Sequence, residues 1–174
     1  MLIVLPSHCL LPYIMTEDRA SPSSLSLSLP FSIIWRSSAP TAVYEAARVG
    51  RIFNLRRPKR YPQAIIFVTE VEHILVAMQL AQKHSLKVAI RSGGHSWAAW
   101  SVQDNSILLD LGGMKHLALD REAMIASVSP STTGAMLQRF LEPRGLWFPG
   151  GHCPDVALGG FLLVGGMGWN CKVR

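Results

Sequence analysis

The chain has 174 residues, 49% of them hydrophobic and 16% charged, which is enough for one domain with a genuine core and excludes a chain too polar to fold. Seventeen Lys and Arg against eleven Asp and Glu leave a net charge of +6, compatible with an anionic ligand, a nucleic acid or a plain basic surface. Three widely spaced cysteines, Cys9, Cys153 and Cys171, indicate neither a disulfide framework nor a CxxC zinc site, and no run reaches the roughly 18 apolar residues of a spanning helix.

The opening Met1 to Met15 is apolar but has no basic start and is interrupted by Pro6 and Pro12, which argues against a signal peptide and leaves the compartment unassigned. Ala20 to Pro40 is built of Ser, Leu and Pro with almost no charge, so residues 1–43 are expected to be a disordered low-complexity leader, and 44–174 the domain. Ala64 to Val68 reads as a buried strand. Thr69 with Glu72 reads as a capping box for a helix running to about His84, whose inward face would be Val71, Ile74, Leu75, Met78 and Ala81. A second strand, Leu86 to Ile90, completes a strand–helix–strand unit of the kind associated with parallel pairing. Short strands follow at Ile107 to Leu111, Leu117 to Asp120 and Ile125 to Val128. Thr132 or Thr133 then caps a helix with Met136, Leu137, Phe140 and Leu141 inward, ended by Pro143 and Gly145. The fold class is α+β, or mixed α/β.

Two stretches carry candidate chemistry. In Arg91-Ser92-Gly93-Gly94-His95-Ser96, paired glycines after a strand allow a sharp turn whose successive N–H groups converge on an anion, a pyrophosphate being the ligand that best uses them. The pattern is neither GxGxxG nor a GKS/GKT loop. His95 projects from the same turn, either as a functional group or as a hydrogen-bonded loop residue. The second stretch, FPGGHCPDVALGGFLLVGGMGWN from Phe148 to Asn170, packs Gly150-Gly151, Gly159-Gly160 and Gly165-Gly166 into 17 residues. Such density suits backbone approaching a flat or extended ligand, or a series of turns. Cys153 lies in a polar turn, open to roles as nucleophile, attachment point or simple small hydrophobe. A metal site with His152 lacks further ligands at zinc spacing.

Together, the YPxAI segment at Tyr61 to Ile65, RSGGHS, ILLDLGGM and PGGHCPDVALGGFLLVGGMGWN resemble the FAD-linked oxidases with a PCMH-type flavin domain, of which berberine-bridge-like enzymes are a branch. The likeness runs from about Arg48 to Asn170. It implies FAD as cofactor, with the amides of Ser92, Gly93, Gly94 and His95 on the pyrophosphate and Arg91 and Ser96 also in the cofactor site. It further implies a covalent link from His95 to the 8α-methyl of the ring and, in doubly linked members, a second from Cys153 to C6. Gly150, Gly151, Val156, Gly159, Gly160, Gly165 and Gly166 complete the implied flavin site. Val164 departs from the family by placing a side chain where many members have glycine or a polar residue. The family also continues beyond position 174 with the rest of its flavin domain and a substrate domain, so this chain is expected to be an N-terminal fragment. The implied activity is hydride transfer from a small organic substrate to flavin with reoxidation by dioxygen; the alternative is a non-catalytic flavin-binding remnant. A third reading, nucleic-acid binding, rests on Arg48, Arg51, Arg56, Arg57, Lys59 and Arg60 alone and lacks any aromatic stacking module. Neither a nucleic-acid nor a membrane partner is expected.

Overall fold

The computed structural model describes residues 31–168. The expectations for Cys9 and residues 1–30, and for residues 169–174 with Cys171, lie outside the described residues.

The sheet has four strands in the order β1, β2, β4, β3. These are β1 (Ile33–Trp35), β2 (Ala64–Phe67), β3 (Lys87–Arg91) and β4 (Ser106–Asp110). Strand β1 runs antiparallel to β2, whereas β2, β4 and β3 are mutually parallel. All five residues of β4 are buried, as expected of a central strand covered on both faces. Alternation then sorts the side chains. Ala64, Ile66, Ile107 and Leu109 face α2 (Val71–Lys83), where they meet Ala77 and Ala81. Ile65 and Leu108 face the other way, onto Tyr44 of α1 (Thr41–Val49). A second core lies between the antiparallel hairpin β5 (Leu117–Asp120) and β6 (Ile125–Val128) and the helices α3 (Gly134–Leu141) and α4 (Leu158–Val164), with Ala126, Val128, Leu137, Leu141 and Leu158 at its centre.

Several expectations change. Ordered structure begins before Tyr44: β1 pairs Ile34 with Ile65, and α1 starts at Thr41, so the 1–43 leader boundary falls inside the fold. An isolated three-residue strand carries no signal of its own; its partner in β2 creates it. The expected capping box does not form. Glu70 is the N-cap of α2 without a side-chain cap bond, and Thr69 Oγ1 instead meets His73 Nδ1 at 3.2 Å. The inward face of α2 is also rotated: His73, Ala77 and Ala81 are buried, Ile74 packs against them, and Val71, Leu75 and Met78 are exposed. Small residues won because they let the helix axis approach the sheet closely. Strand β4 inserts between β2 and β3, so the strand–helix–strand unit is parallel without its two strands being neighbours. Thr133 is the cap of α3, accepting from the Met136 N–H at 3.3 Å, while Met136 itself is exposed. The Gly159-Gly160 pair lies in the first turn of α4, a helix the sequence reading did not include.

Arg48 is buried near the end of α1 and stitches the loop that follows: its Nη1 donates to Pro58 O at 2.7 Å and Arg60 O at 3.0 Å, and its Nε and Nη2 to Glu45. That guanidinium, hydrogen-bonded to Glu45, holds the carboxyl below its ordinary pKa. A depressed carboxyl contributes stability above its unfolded pKa and loses it as pH falls through the folded value. Glu45→Gln is therefore expected to cost about 0.5 kcal/mol at neutral pH. Urea midpoints of the two proteins should converge below about pH 4; a constant gap across that range would count against this assignment.

Candidate functional site

Strands β3 and β4 end side by side, with Arg91 opposite Asp110. Arg91 Nε and Nη2 donate to Asp110 Oδ2 at 2.9 and 2.7 Å, and Nη1 and Nη2 also donate to Arg48 O at 2.7 Å and Ala47 O at 2.6 Å, carbonyls in the last turn of α1. Both partners are 1% exposed. Burial pulls the Arg91 pKa below the usual guanidinium range, opposed by the Asp110 charge and hydrogen bond. The other carboxylate oxygen of Asp110 accepts from Arg51 Nη1 and from the Gly112 N–H. Arg91 is thus a structural anchor: it borders the cleft described next, but every guanidinium nitrogen has a protein acceptor.

From this anchor the loop Ser92 to Ser96 turns away from the sheet. Gly94 has φ +76°, a conformation that disfavours any Cβ, and lies so close to the Arg51 carbonyl that a Cβ would sit 1.8 Å from its oxygen. Gly93 abuts α4's entry, where a Cβ would lie 2.6 Å from Ala157 Cβ. At Gly159 a Cβ would lie 2.7 Å from Ser92 Oγ. The two glycine-bearing stretches therefore meet in space, by close backbone contact.

Between them runs a cleft of about 720 Å³, bordered on one side by the β3 edge and Ser92, Gly93, Gly94, His95 and Ser96, and on the other by Val156, Ala157, Gly160, Phe161, Gly165 and Gly166. Trp97 and Trp100 add aromatic walls, and Val164, the departure from the family pattern, lines it with an exposed side chain. The N–H groups of Gly93, Gly94, His95 and Ser96 donate to no acceptor among the described residues. The His95 ring stacks on Phe53, centroids 4.0 Å apart and planes 10° apart, with Trp97 edge-on to the same phenyl ring.

Not every expected residue joins this cleft. Gly150 and Gly151 line a separate hollow of about 460 Å³ together with His152 and Pro154. Cys153 is an exposed free thiol that does not line the His95 cleft, and Gly159 serves the joint with Ser92 rather than the cleft surface. Residues that sequence reasoning missed are Arg51, Phe53, Asp110 and Ser131. Asp110 alone carried a legible signal, a carboxylate closing the apolar run Ile107-Leu108-Leu109. The basic cluster is also resolved in part: Arg48 and Arg51 are committed as above, and Arg60 donates to the carbonyls of Val102, Ala98 and Ala99. Among the described residues there is no group of three or more His, Cys, Asp or Glu side chains able to hold a metal ion, and no helix is long and apolar enough to cross a membrane.

A glycine-bearing turn at the end of a parallel strand, facing an aromatic-walled cleft, suits a ligand with both phosphate and a flat ring, and comparison with known proteins says which class it belongs to. Residues 62–174 match the family described as FAD binding domain, and the chain belongs to that family, the PCMH-type FAD-binding domains of FAD-linked oxidoreductases. It is similar to the FAD-linked oxidoreductase nodO of Hypoxylon pulicicidum, 45% identical over 149 residues, covering 86% of this chain and 33% of that protein. A more distant relative is the xylooligosaccharide oxidase of Thermothelomyces thermophilus, 36% identical over 121 residues, covering 68% of this chain and 24% of that one. Among solved structures, xylooligosaccharide oxidase from Myceliophthora thermophila C1 in complex with xylobiose superposes with a TM-score of 0.69 at 32% identity, covering 81% of this chain and 29% of that one. Physcomitrella patens BBE-like 1 gives 0.70 at 25%, covering 80% and 30%. The chain spans 19% to 33% of the length of the curated relatives it matches. FAD is the cofactor of this family, and the residues present fit it: the amides from Gly93 to Ser96 have no acceptor among the described residues, and Gly160 and Gly165, where a Cβ would meet nothing within 4 Å, leave the cleft wall without side chains.

Proposed function

We propose that this chain provides the cofactor-binding part of an FAD-dependent oxidoreductase acting on a small organic substrate. The observation that carries the reading is the row of amides from Gly93 to Ser96, without an acceptor among the described residues, beside His95 on one cleft. Those amides would hold the pyrophosphate, with Ser92 and Ser96 hydroxyls beside it, while Val156, Gly160, Gly165 and Gly166 would border the ring system. When bound, FAD supplies the two-electron chemistry, accepting hydride from substrate carbon and passing two electrons and two protons to dioxygen as hydrogen peroxide. His95, held flat by Phe53, is the covalent anchor in this reading. A second link through Cys153 rests on the family likeness alone: the thiol is exposed and does not line the cleft beside His95, although Val156 of the same turn does.

Chain produced with FAD is expected to keep flavin fluorescence on a denaturing gel. His95→Ala should abolish that signal while retaining FAD released on denaturation, and Cys153→Ala should leave it unchanged. Fluorescence surviving His95→Ala would place the anchor elsewhere.

Flavin binding without turnover by this chain is the second reading. It is favoured by the cleft lining, whose titratable side chains among the described residues are the committed Arg91 and His95, with no carboxylate positioned as a base. Peroxide formation from an alcohol, sugar or amine, dependent on this chain alone, would remove it.

A further inference from the structure

We infer that Arg51 is a positioning residue for the amide nest, turning the Ser92–Gly93 peptide so that its N–H faces outward to the ligand; this rests on the cofactor reading above. The Ser92 carbonyl accepts from Arg51 Nη2 at 2.7 Å, and the Ser131 hydroxyl lies 3.2 Å from it, its single proton shared with the nearer Leu111 carbonyl at 2.7 Å. There are no cis peptide bonds among the described residues, and in a trans peptide the carbonyl and the N–H point in opposite directions. Anchoring the Ser92 oxygen against the scaffold therefore turns the Gly93 N–H away from it. The next peptide but one is held in the same way: the Phe53 N–H donates to Gly94 O at 3.2 Å, which turns the His95 N–H outward. Two donors, two residues apart on one segment, thus orient alternate peptides of the loop. That same segment carries the phenyl ring on which His95 stacks.

Arg51 is itself fixed for this task. Its other terminal nitrogen binds the buried Asp110 carboxylate, and Gly112 leaves room for it, since a Cβ there would lie 2.3 Å from Arg51 Nη1. The guanidinium fork bridges a carboxylate and a carbonyl at once, a geometry that a lysine ammonium, with the same charge, does not reproduce. Arg51 is 37% exposed, and Asp110 keeps Arg91 and the Gly112 N–H without it, so its replacement separates loop orientation from folding.

The test uses the full chain prepared free of flavin from a riboflavin-starved host, with ADP as the probe because it carries the pyrophosphate without the ring. Titration calorimetry on the parent, Arg51→Lys, Arg51→Met and Ser131→Ala is combined with amide spectra. Arg51→Lys and Arg51→Met are expected to weaken ADP binding alike, by about tenfold, one oriented nest donor being lost. Ser131→Ala, which leaves the stronger donor in place, should weaken it by about threefold, and it carries the test should the Arg51 variants fail to fold. In the parent, the Gly93 amide resonance should move downfield on adding ADP; in Arg51→Lys it should not. If Arg51→Lys binds ADP as the parent does while Arg51→Met does not, the side chain acts by charge alone and the inference is overturned. Parent-like binding by all three variants overturns it as well. A parent that binds no ADP overturns the cofactor reading, and this inference with it.

Discussion

Asp110→Ala is expected to destabilise the domain by about 3–5 kcal/mol, the range for removing one partner of a buried ion pair. The substitution leaves Arg91 buried, its charge answered only by the carbonyls of Ala47 and Arg48. Domains of this size have roughly 5–15 kcal/mol in all, so most of the molecule's margin is at stake. Because Arg91 ties the end of β3 to the end of α1, the damage should spread to the loop that follows. Two comparisons isolate the cause. Asp110→Asn keeps shape and an acceptor but not charge and should fall between the parent and Asp110→Ala. Adding Arg91→Met to Asp110→Ala should recover part of the loss, since the orphaned cation is then gone. Urea unfolding followed by circular dichroism measures all four; an Asp110→Ala loss under about 1 kcal/mol would mean that the pair behaves as a surface salt bridge.

Gly94→Ala should weaken FAD binding severely and cost about 2–4 kcal/mol of stability. A left-handed backbone disfavours alanine by roughly 1–2 kcal/mol, and overpacking adds a comparable amount. The obstruction is backbone, the Arg51 carbonyl, so no side-chain rotation relieves it. The loop must move, and its movement breaks the Phe53 to Gly94 bond that orients the His95 amide. FAD affinity by fluorescence quenching is expected to fall at least a hundredfold, about 2.7 kcal/mol. Gly160→Ala provides the contrast for stability, because a Cβ there meets nothing within 4 Å and the residue lies in α4. It should stabilise or leave unchanged the thermal midpoint. Equal behaviour of the two variants would show that glycine at position 94 has no steric purpose.

Much of the chain was legible before any tertiary structure. Apolar runs at Ala64 to Val68 and Ile107 to Leu111 marked the two inner strands, because strands buried on both faces read as continuous hydrophobic runs. Paired glycines at 93–94 after a strand marked the nest, because few other residues accept that backbone. The helix faces were less legible. In α2 the sequence offers two apolar stripes about one position apart that share Ile74 and Ala81, and only the sheet's demand for small side chains chose Ala77 over Leu75 and Met78. The roles of Arg48, Arg51 and Arg60 were hidden for a related reason: a run of basic residues looks alike whether its guanidiniums face water or distant carbonyls.

By itself, the sequence determined the mixed α/β class, the FAD-binding family and the two glycine-bearing stretches, since these depend on local backbone freedom and residue type. Tertiary structure alone decided that His95 and the second stretch share a cleft while Cys153 sits outside it, and that Asp110 binds two arginines 19 and 59 positions away. Contacts at such separations depend on how β4 inserts between β2 and β3. That ordering follows from burying both faces of the sheet at once, a condition on the whole chain that no local pattern encodes.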